Sequence, residues 1–168
     1  MKIGIVSDSH GNVRRLQAAL DAFAGRGAQA VVHCGDVGGV KCLHALADSG
    51  LKSYVVAGNT DRRADRLEQT ARRLNIRFAW EVIEVPIAGG EYLVATHGSD
   101  AKILGELIAG RQFPYVCRGH THRASDERHG PVRVINPGAL HHPKHPRCPT
   151  AALLNTETGA LEQIVLGE

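Results

Sequence analysis

The chain has 168 residues, 43% of them hydrophobic, which is enough to build one domain with an ordinary core; the whole span 1–168 is expected to form a single domain. Twenty basic against 17 acidic side chains give a formal charge of +3 with His neutral, too small for a protein that coats nucleic acid but favourable for the approach of anionic substrates. No apolar run nears the roughly 20 residues that a bilayer crossing needs, and Met1-Lys2 leads straight into a strand-like segment. Neither a membrane span nor a secretory signal is expected, and the expected location is cytoplasmic.

The first half alternates strand and helix. Ile3 to Val6 is an apolar run, followed by a helical pattern with Val13, Leu16, Leu20 and Phe23 at intervals of 3, 4 and 3 that stops near Gly25 and Gly27. Ala30 to Val32 predicts a second strand, Val40, Leu43 and Ala47 a short helix, and Tyr54 to Ala57 a third strand. From Asp61 to Leu74 the spacing of Ala64, Leu67, Ala71 and Leu74 predicts an amphipathic helix whose polar side carries Arg62, Arg63, Arg66, Arg72 and Arg73. Strands separated by helices imply a parallel sheet.

The pattern then changes. Trp80 to Val85 and Glu91 to Thr96 read as strands joined by Ala88-Gly89-Gly90, and Ile103, Leu104, Leu107 and Ile108 mark a short helix. Strands follow at Tyr115 to Cys117, Val132 to Ile135, Ala151 to Leu154 and Leu161 to Leu166. His141 to Pro149 is rich in His and Pro and reads as an irregular loop, because proline donates nothing to a strand ladder. The four cysteines, Cys34, Cys42, Cys117 and Cys148, lack CxxC spacing and read as free thiols.

Five apolar runs end in the same way. Val6-Ser7 leads into Asp8-Ser9-His10-Gly11, Cys34 into Gly35-Asp36, Ala57 into Gly58-Asn59, Thr96 into His97-Gly98, and Arg118 into Gly119-His120-Thr121-His122. In open α/β sheets ligands bind in the crevice at the carboxyl ends of the strands, so these five loops are expected to converge. A glycine beside each candidate ligand suits turns with positive φ or close backbone approach, and explains part of the high glycine count of 19. Asp8, Asp36 and Asn59 offer oxygen, and His10, His97, His120 and His122 offer nitrogen. Such a mixed set without thiolate suits Mn, Fe, Zn, Co or Ni over Ca or Mg alone. Seven donors exceed the needs of one catalytic ion and suit two, about 3.5–4 Å apart, if a carboxylate bridges.

Asp8-Ser9-His10, Gly35-Asp36, Gly58-Asn59-Thr60-Asp61, His97-Gly98 and Gly119-His120-Thr121-His122, in that order, resemble the calcineurin-like metallophosphoesterases. Within them, Ser7-Asp8-Ser9-His10-Gly11-Asn12 and the short length are similar to the small YfcE-type phosphodiesterases, which are related to a retromer scaffold subunit. The likeness runs to about Asn136-Pro137-Gly138. It implies an α/β fold, a four-layer α/β/β/α sandwich of two mixed β-sheets (the metallo-dependent phosphatase fold). It implies that Asp8, His10 and His122 hold one metal, that Asn59, His97 and His120 hold the other, and that Asp36 bridges, with two divalent ions as cofactor and manganese preferred. The implied activity is hydrolysis of phosphodiesters, with phosphomonoesters also open, by attack of a hydroxide shared between the metals. Asp36, His10, Asn59 and Asn12 are placed in the catalytic machinery, the Asn12 amide as a donor to a phosphate oxygen.

One position departs from that pattern. Many relatives carry His after the metal-binding Asn, where it protonates the leaving group; here the residue is Thr60, whose hydroxyl is no acid near neutral pH. Arg62 and Arg63 follow closely enough to be candidate phosphate contacts, although an exposed helix face balanced by Asp61, Asp65 and Glu68 is the plainer reading. His33 and His44 read as packing or surface residues, His129 as a turn residue, and Asn136-Pro137-Gly138 as a turn. His141, His142 and His145 read as a solvated loop before a secondary metal patch. The expected partner is a small phosphorylated, nucleotide-like or other phosphodiester compound. Long nucleic acid is disfavoured by the absence of an aromatic-studded basic stretch, a membrane is excluded, and a homo-oligomer is left open. The competing reading is a non-catalytic protein-interaction scaffold on the same fold, which would have no chemical reason to aim seven ligand-type side chains at one crevice.

Overall fold

The computed structural model describes residues 1–61 and 65–167. Strands and helices alternate from the start: β1 (Lys2–Val6), α1 (Val13–Ala24), β2 (Ala30–His33), α2 (Val40–Asp48), β3 (Lys52–Val56), α3 (Asp65–Arg73) and β4 (Arg77–Ala79). Then come β5 (Val82–Pro86), a 3-10 turn at Ala88–Gly90, β6 (Tyr92–Thr96), α4 (Ala101–Gly110) and β7 (Tyr115–Cys117). The chain closes with β8 (Ala124–His129), β9 (Val132–Pro137), β10 (Thr150–Asn155) and β11 (Leu161–Val165).

The first sheet has the order β11-β10-β1-β2-β3-β4, and the second β5-β6-β7-β9-β8. β1 to β4 pair in parallel, while β10 runs antiparallel to both β1 and β11. In the second sheet β6, β7 and β9 are parallel, with antiparallel β5 and β8 at the two edges. Both sheets are therefore mixed, as expected from the sequence.

Side-chain alternation along the strands separates the layers. Val31 and Val55 pack under α1 to α3, whereas Ala30, Val32, Tyr54 and Val56 face the second sheet. Leu93, Ala95, Cys117 and Ile135 meet them from the other side, and Val94, Val116 and Val134 turn outward beneath Leu104, Leu107 and Ile108 of α4. The result is helices, sheet, sheet, helix. Strands buried on both faces read as continuous apolar runs, which is why the central ones are legible in the sequence.

Several expectations need correction. The helix expected from Asp61 is described as Asp65–Arg73, and Asp61 lies outside it, only 3% exposed. Arg62 and Arg63 fall outside the described residues. Trp80 and Glu81 form a bend before β5. β4 and β8 were not expected: β4 is three residues long, and β8 is the polar run Ala-Ser-Asp-Glu-Arg-His on an exposed edge, with no apolar alternation to mark it. In α2 the buried face is Cys42, Leu43, Ala45 and Leu46, with Val40 and Ala47 only partly covered.

Candidate metal centre

All seven predicted ligands sit in loops at the carboxyl ends of β1, β2, β3, β6 and β7. Backbone hydrogen bonds lock the first two of these loops together: Asp8 N donates to Gly35 O at 3.0 Å, His10 N to Asp36 O at 2.9 Å and Gly11 N to Val37 O at 2.9 Å. From the other side His141 N donates to Asp8 O at 3.0 Å, so Asp8 is held between two loops.

The backbone at these positions is strained. Asp8, His10, Asp36, His120 and His122 all have φ between 44° and 67°, in the left-handed region that side-chain-bearing residues avoid. Such strain persists only where the surroundings over-determine it, and it concentrates at functional sites. Two glycines make room for the carboxylates. A Cβ on Gly119 would strike Ser7 Oγ and stand 2.7 Å from Asp8 Oδ2, and one on Gly58 would strike Asp36 Oδ1 and its backbone N and stand 2.7 Å from Cγ.

Asp36 Oδ2 lies 3.6 Å from His10 Nε2 and 3.5 Å from His97 Nε2, midway between two groups of donors. On one side His122 Nε2 is 3.2 Å and His10 Nε2 3.9 Å from Asp8 Oδ1, with the two imidazole centroids 5.5 Å apart. On the other, His97 Nε2 is 3.0 Å from Asn59 Oδ1, and the His120 ring packs edge-on against His97 with centroids 5.1 Å apart. Two triplets have donor atoms close enough to share a cation: Asp8, His10 and His122, and Asp8, Asp36 and His97. His120 joins through its backbone as well, donating to Asp8 Oδ2 at 3.1 Å.

The donor set fits divalent metal on its own evidence. Asp8 is fully buried, and among the described residues its Oδ1 has no hydrogen-bond partner, although it faces two imidazole nitrogens. An unpaired buried carboxylate oxygen is costly, and a cation is the simplest way to satisfy it. The Nδ1 atoms of His97 and His122 lie 2.8 and 2.9 Å from the carbonyls of Cys34 and His142. Donation there leaves the Nε2 lone pairs free to bind metal, the usual outer arrangement of ligating histidines.

Electrostatics favour the charged forms of Asp36 and His97. Burial opposes ionisation of Asp36, but His97 and the Thr60 amide, which donates to Oδ1 at 2.9 Å, outweigh it and hold the carboxyl well below the ordinary range. Burial likewise works against a proton on His97, yet Asp36 and the Cys34 carbonyl raise it overall. His120 is lowered, chiefly by burial and then by His97. Asn12 caps α1, its Oδ1 accepting from Arg15 N at 3.1 Å; that uses its acceptor and not its amide donors.

Three supporting residues escaped the sequence reading. Asp61 accepts the backbone N–H groups of Val37 and Gly58 at 2.9 Å and Gly38 at 3.1 Å, fastening the Asp36 loop to the Asn59 loop. Asn136, 1% exposed, donates to Gly119 O and Thr121 Oγ1 at 3.0 Å and accepts from Gly138 N at 3.0 Å, which fixes the loop carrying His120 and His122. His33 joins the Ser9 and Gly35 loops from beneath. The only local signal was an Asp or Asn within three residues of a glycine, bonded to that glycine's amide, as in Asp61 with Gly58 and Asn136 with Gly138.

These features together define a phosphoesterase-type α/β sandwich, and residues 1–159 match the calcineurin-like phosphoesterase superfamily domain, to which the chain belongs. It is 28% identical over 173 residues to phosphodiesterase MJ0936 of Methanocaldococcus jannaschii, covering 99% of each chain. It is 29% identical over 159 residues to phosphodiesterase YfcE of Escherichia coli, covering 86% of this chain and 82% of that one. Among solved structures, an archaeal phosphodiesterase superposes with a TM-score of 0.88 at 29% identity, covering 99% of this chain and 100% of that chain. Vps29 of Entamoeba histolytica superposes with a TM-score of 0.67 at 18% identity, covering 99% and 100%, a likeness of fold alone.

Proposed function

We propose that the protein is a two-metal phosphodiesterase acting on small phosphorylated compounds, with Asp8, His10 and His122 on one ion, Asn59, His97 and His120 on the other, and Asp36 between them. The observation that carries this reading is Asp36 Oδ2, set 3.6 and 3.5 Å from imidazoles of the two groups. Two divalent ions, when bound, supply a nucleophile at neutral pH and neutralise charge on the non-bridging phosphate oxygens.

The chain's own residues do the rest. Asp36 and Asp8 contribute two negative charges in a nearly dry pocket, so the loaded site keeps a net positive charge that attracts phosphate. Backbone pairing of the Asp8 and Asp36 loops holds the donors in place before substrate arrives, which removes reorganisation from the reaction. Asn12, at the head of α1, supports a donor role toward a phosphate oxygen through its amide. Manganese is the first ion to try. Retention of the whole donor set at strained strand ends favours an enzyme over a scaffold built on the same sandwich.

Elemental analysis and hydrolysis should be measured together on protein reconstituted with Mn²⁺ and on Asp36→Ala. About two ions per chain and turnover of bis(4-nitrophenyl) phosphate are expected for the parent, with both lost in the variant. Undiminished turnover in Asp36→Ala would overturn the assignment.

A further inference from the structure

Four buried side-chain atoms among the described residues have no hydrogen-bond partner: Asp8 Oδ1, Arg118 Nε, Arg15 Nε and His141 Nδ1. A bound metal ion would account for the first. Arg15 and His141 both line one cleft of about 390 Å³, together with His142, Arg147 and an apolar wall that includes Cys148 and Leu166. Both residues thus keep a polar nitrogen that no protein group among the described residues satisfies, at the wall of this cleft.

The chemistry of the lining selects that ligand. Arg15 and Arg147 bring two permanent cations, and among the described residues no acidic side chain lines the cleft. Arg15 is anchored, because its Nη1 donates to Leu140 O at 2.9 Å, which fixes the plane of the guanidinium. A planar guanidinium fork matches the spacing of oxygens in phosphate or carboxylate.

The cleft adjoins the metal centre. The His141 ring stands 5.9 Å from that of His10, and the His142 carbonyl is the 2.9 Å partner of His122 Nδ1. A group seated there would belong to a molecule whose scissile phosphate is at the metals.

Resting on the phosphodiesterase reading, we propose that the Arg15–His141–Arg147 cleft is an anion subsite that receives a second negatively charged group, phosphate-like or carboxylate, carried on one arm of the substrate. The substrate class narrows to phosphodiesters with an additional anionic centre a few bonds from the one that is cleaved.

The test uses matched 4-nitrophenyl diesters whose other arm is ethyl or butyl, with and without a terminal phosphonate. Wild-type protein loaded with Mn²⁺ should prefer one of the phosphonate-bearing diesters by tenfold or more in kcat/KM, through KM. That preference should collapse toward unity in Arg147→Gln and return in part in Arg147→Lys. In parallel, inorganic phosphate titrated into metal-free protein should bind saturably by calorimetry, at least tenfold more weakly in Arg147→Gln. A wild-type preference near one, or a preference and phosphate affinity untouched by Arg147→Gln, would overturn the subsite. Failure to hydrolyse any of the diesters would instead count against the phosphodiesterase reading, while the phosphate titration would still decide whether the cleft binds anions.

Discussion

Asp61 Oδ2 accepts the backbone N–H of Val37 at 2.9 Å across 24 residues of sequence, and the same oxygen accepts Gly58 N. The two loops so joined carry Asp36 and Asn59. Asp61 is therefore the brace that sets the distance between Asp36, the proposed bridging carboxylate, and Asn59, a proposed ligand of the second ion.

Removing that brace leaves three amides without their acceptor, two of them buried. An unsatisfied buried donor costs about 1–3 kcal/mol. Asp61→Ala is expected to lower the stability of metal-free protein by about 3 kcal/mol or more, read from the urea midpoint, and to lower ion occupancy. Asp61→Asn, which keeps one oxygen, should lose less. A midpoint within experimental error of wild type for the alanine variant would refute the brace.

Gly58 makes a sharper probe of Asp36. Its φ is not in the left-handed region, so a side chain there is not excluded by backbone conformation; the obstacle is Asp36, whose carboxylate Oδ1 and backbone N the new Cβ would both strike, with Cγ at 2.7 Å. Gly58→Ala is expected to push the carboxylate off its midpoint, costing about 1–3 kcal/mol in overpacking. Bound metal should fall below two ions per chain and kcat by at least tenfold. Full occupancy with unchanged turnover would show that the site tolerates a displaced Asp36.

Much of this architecture was visible in the residues. Continuous apolar runs identified the central strands because both of their faces are covered, and the repeated placement of Asp, Asn or His after each run pointed to one crevice. What stayed hidden has physical reasons. β8 is an exposed edge of polar residues, held by pairing with β9 and by the Arg133 guanidinium, which donates to both oxygens of Asp126 at 2.7 Å. Asn136 and Asp61 fasten the site through their further partners, Gly119 O for one and the amides of Val37 and Gly38 for the other, which are distant in sequence and have no spacing to read. The helical pattern of Ala64, Leu67, Ala71 and Leu74 drew Asp61 into a helix face, whereas its burial is decided by tertiary amides. His142 is exposed in an irregular loop as expected, whereas the His141 ring is part-buried, 5.9 Å from that of His10.

His33 makes the apo fold sensitive to acid. Gly35 N donates to its Nδ1 at 3.2 Å, so the proton of the neutral ring is on Nε2, 2.8 Å from Ser9 Oγ. Burial, only partly offset by Asp61, lowers its pKa from 6.5 to about 4. The unfolded chain takes up a proton below pH 6.5 while the folded chain refuses it until about pH 4. Stability from this group is complete above 6.5 and falls as pH drops through that window, by about 2 kcal/mol between pH 7 and pH 5. Denaturant midpoints of chelator-treated wild type should fall more over that range than those of His33→Gln. Parallel declines would show that His33 is not the group responsible.

Thr60 sets the last prediction. Its backbone amide serves Asp36, but its hydroxyl is no proton donor near neutral pH, so the departing oxygen must leave as an anion unless solvent protonates it. Hydrolysis of a series of aryl diesters is expected to slow steeply as the leaving-group pKa rises, with kcat falling at least tenfold from nitrophenol to phenol under conditions where chemistry limits the rate. Thr60→His places an imidazole after Asn59 while retaining the backbone donor, and should flatten that dependence by accelerating the poorer leaving groups most. If wild type already shows a flat series, another group in the crevice supplies the proton. If Thr60→His leaves a steep series unchanged, the exposed position after Asn59 does not reach the leaving oxygen in this chain.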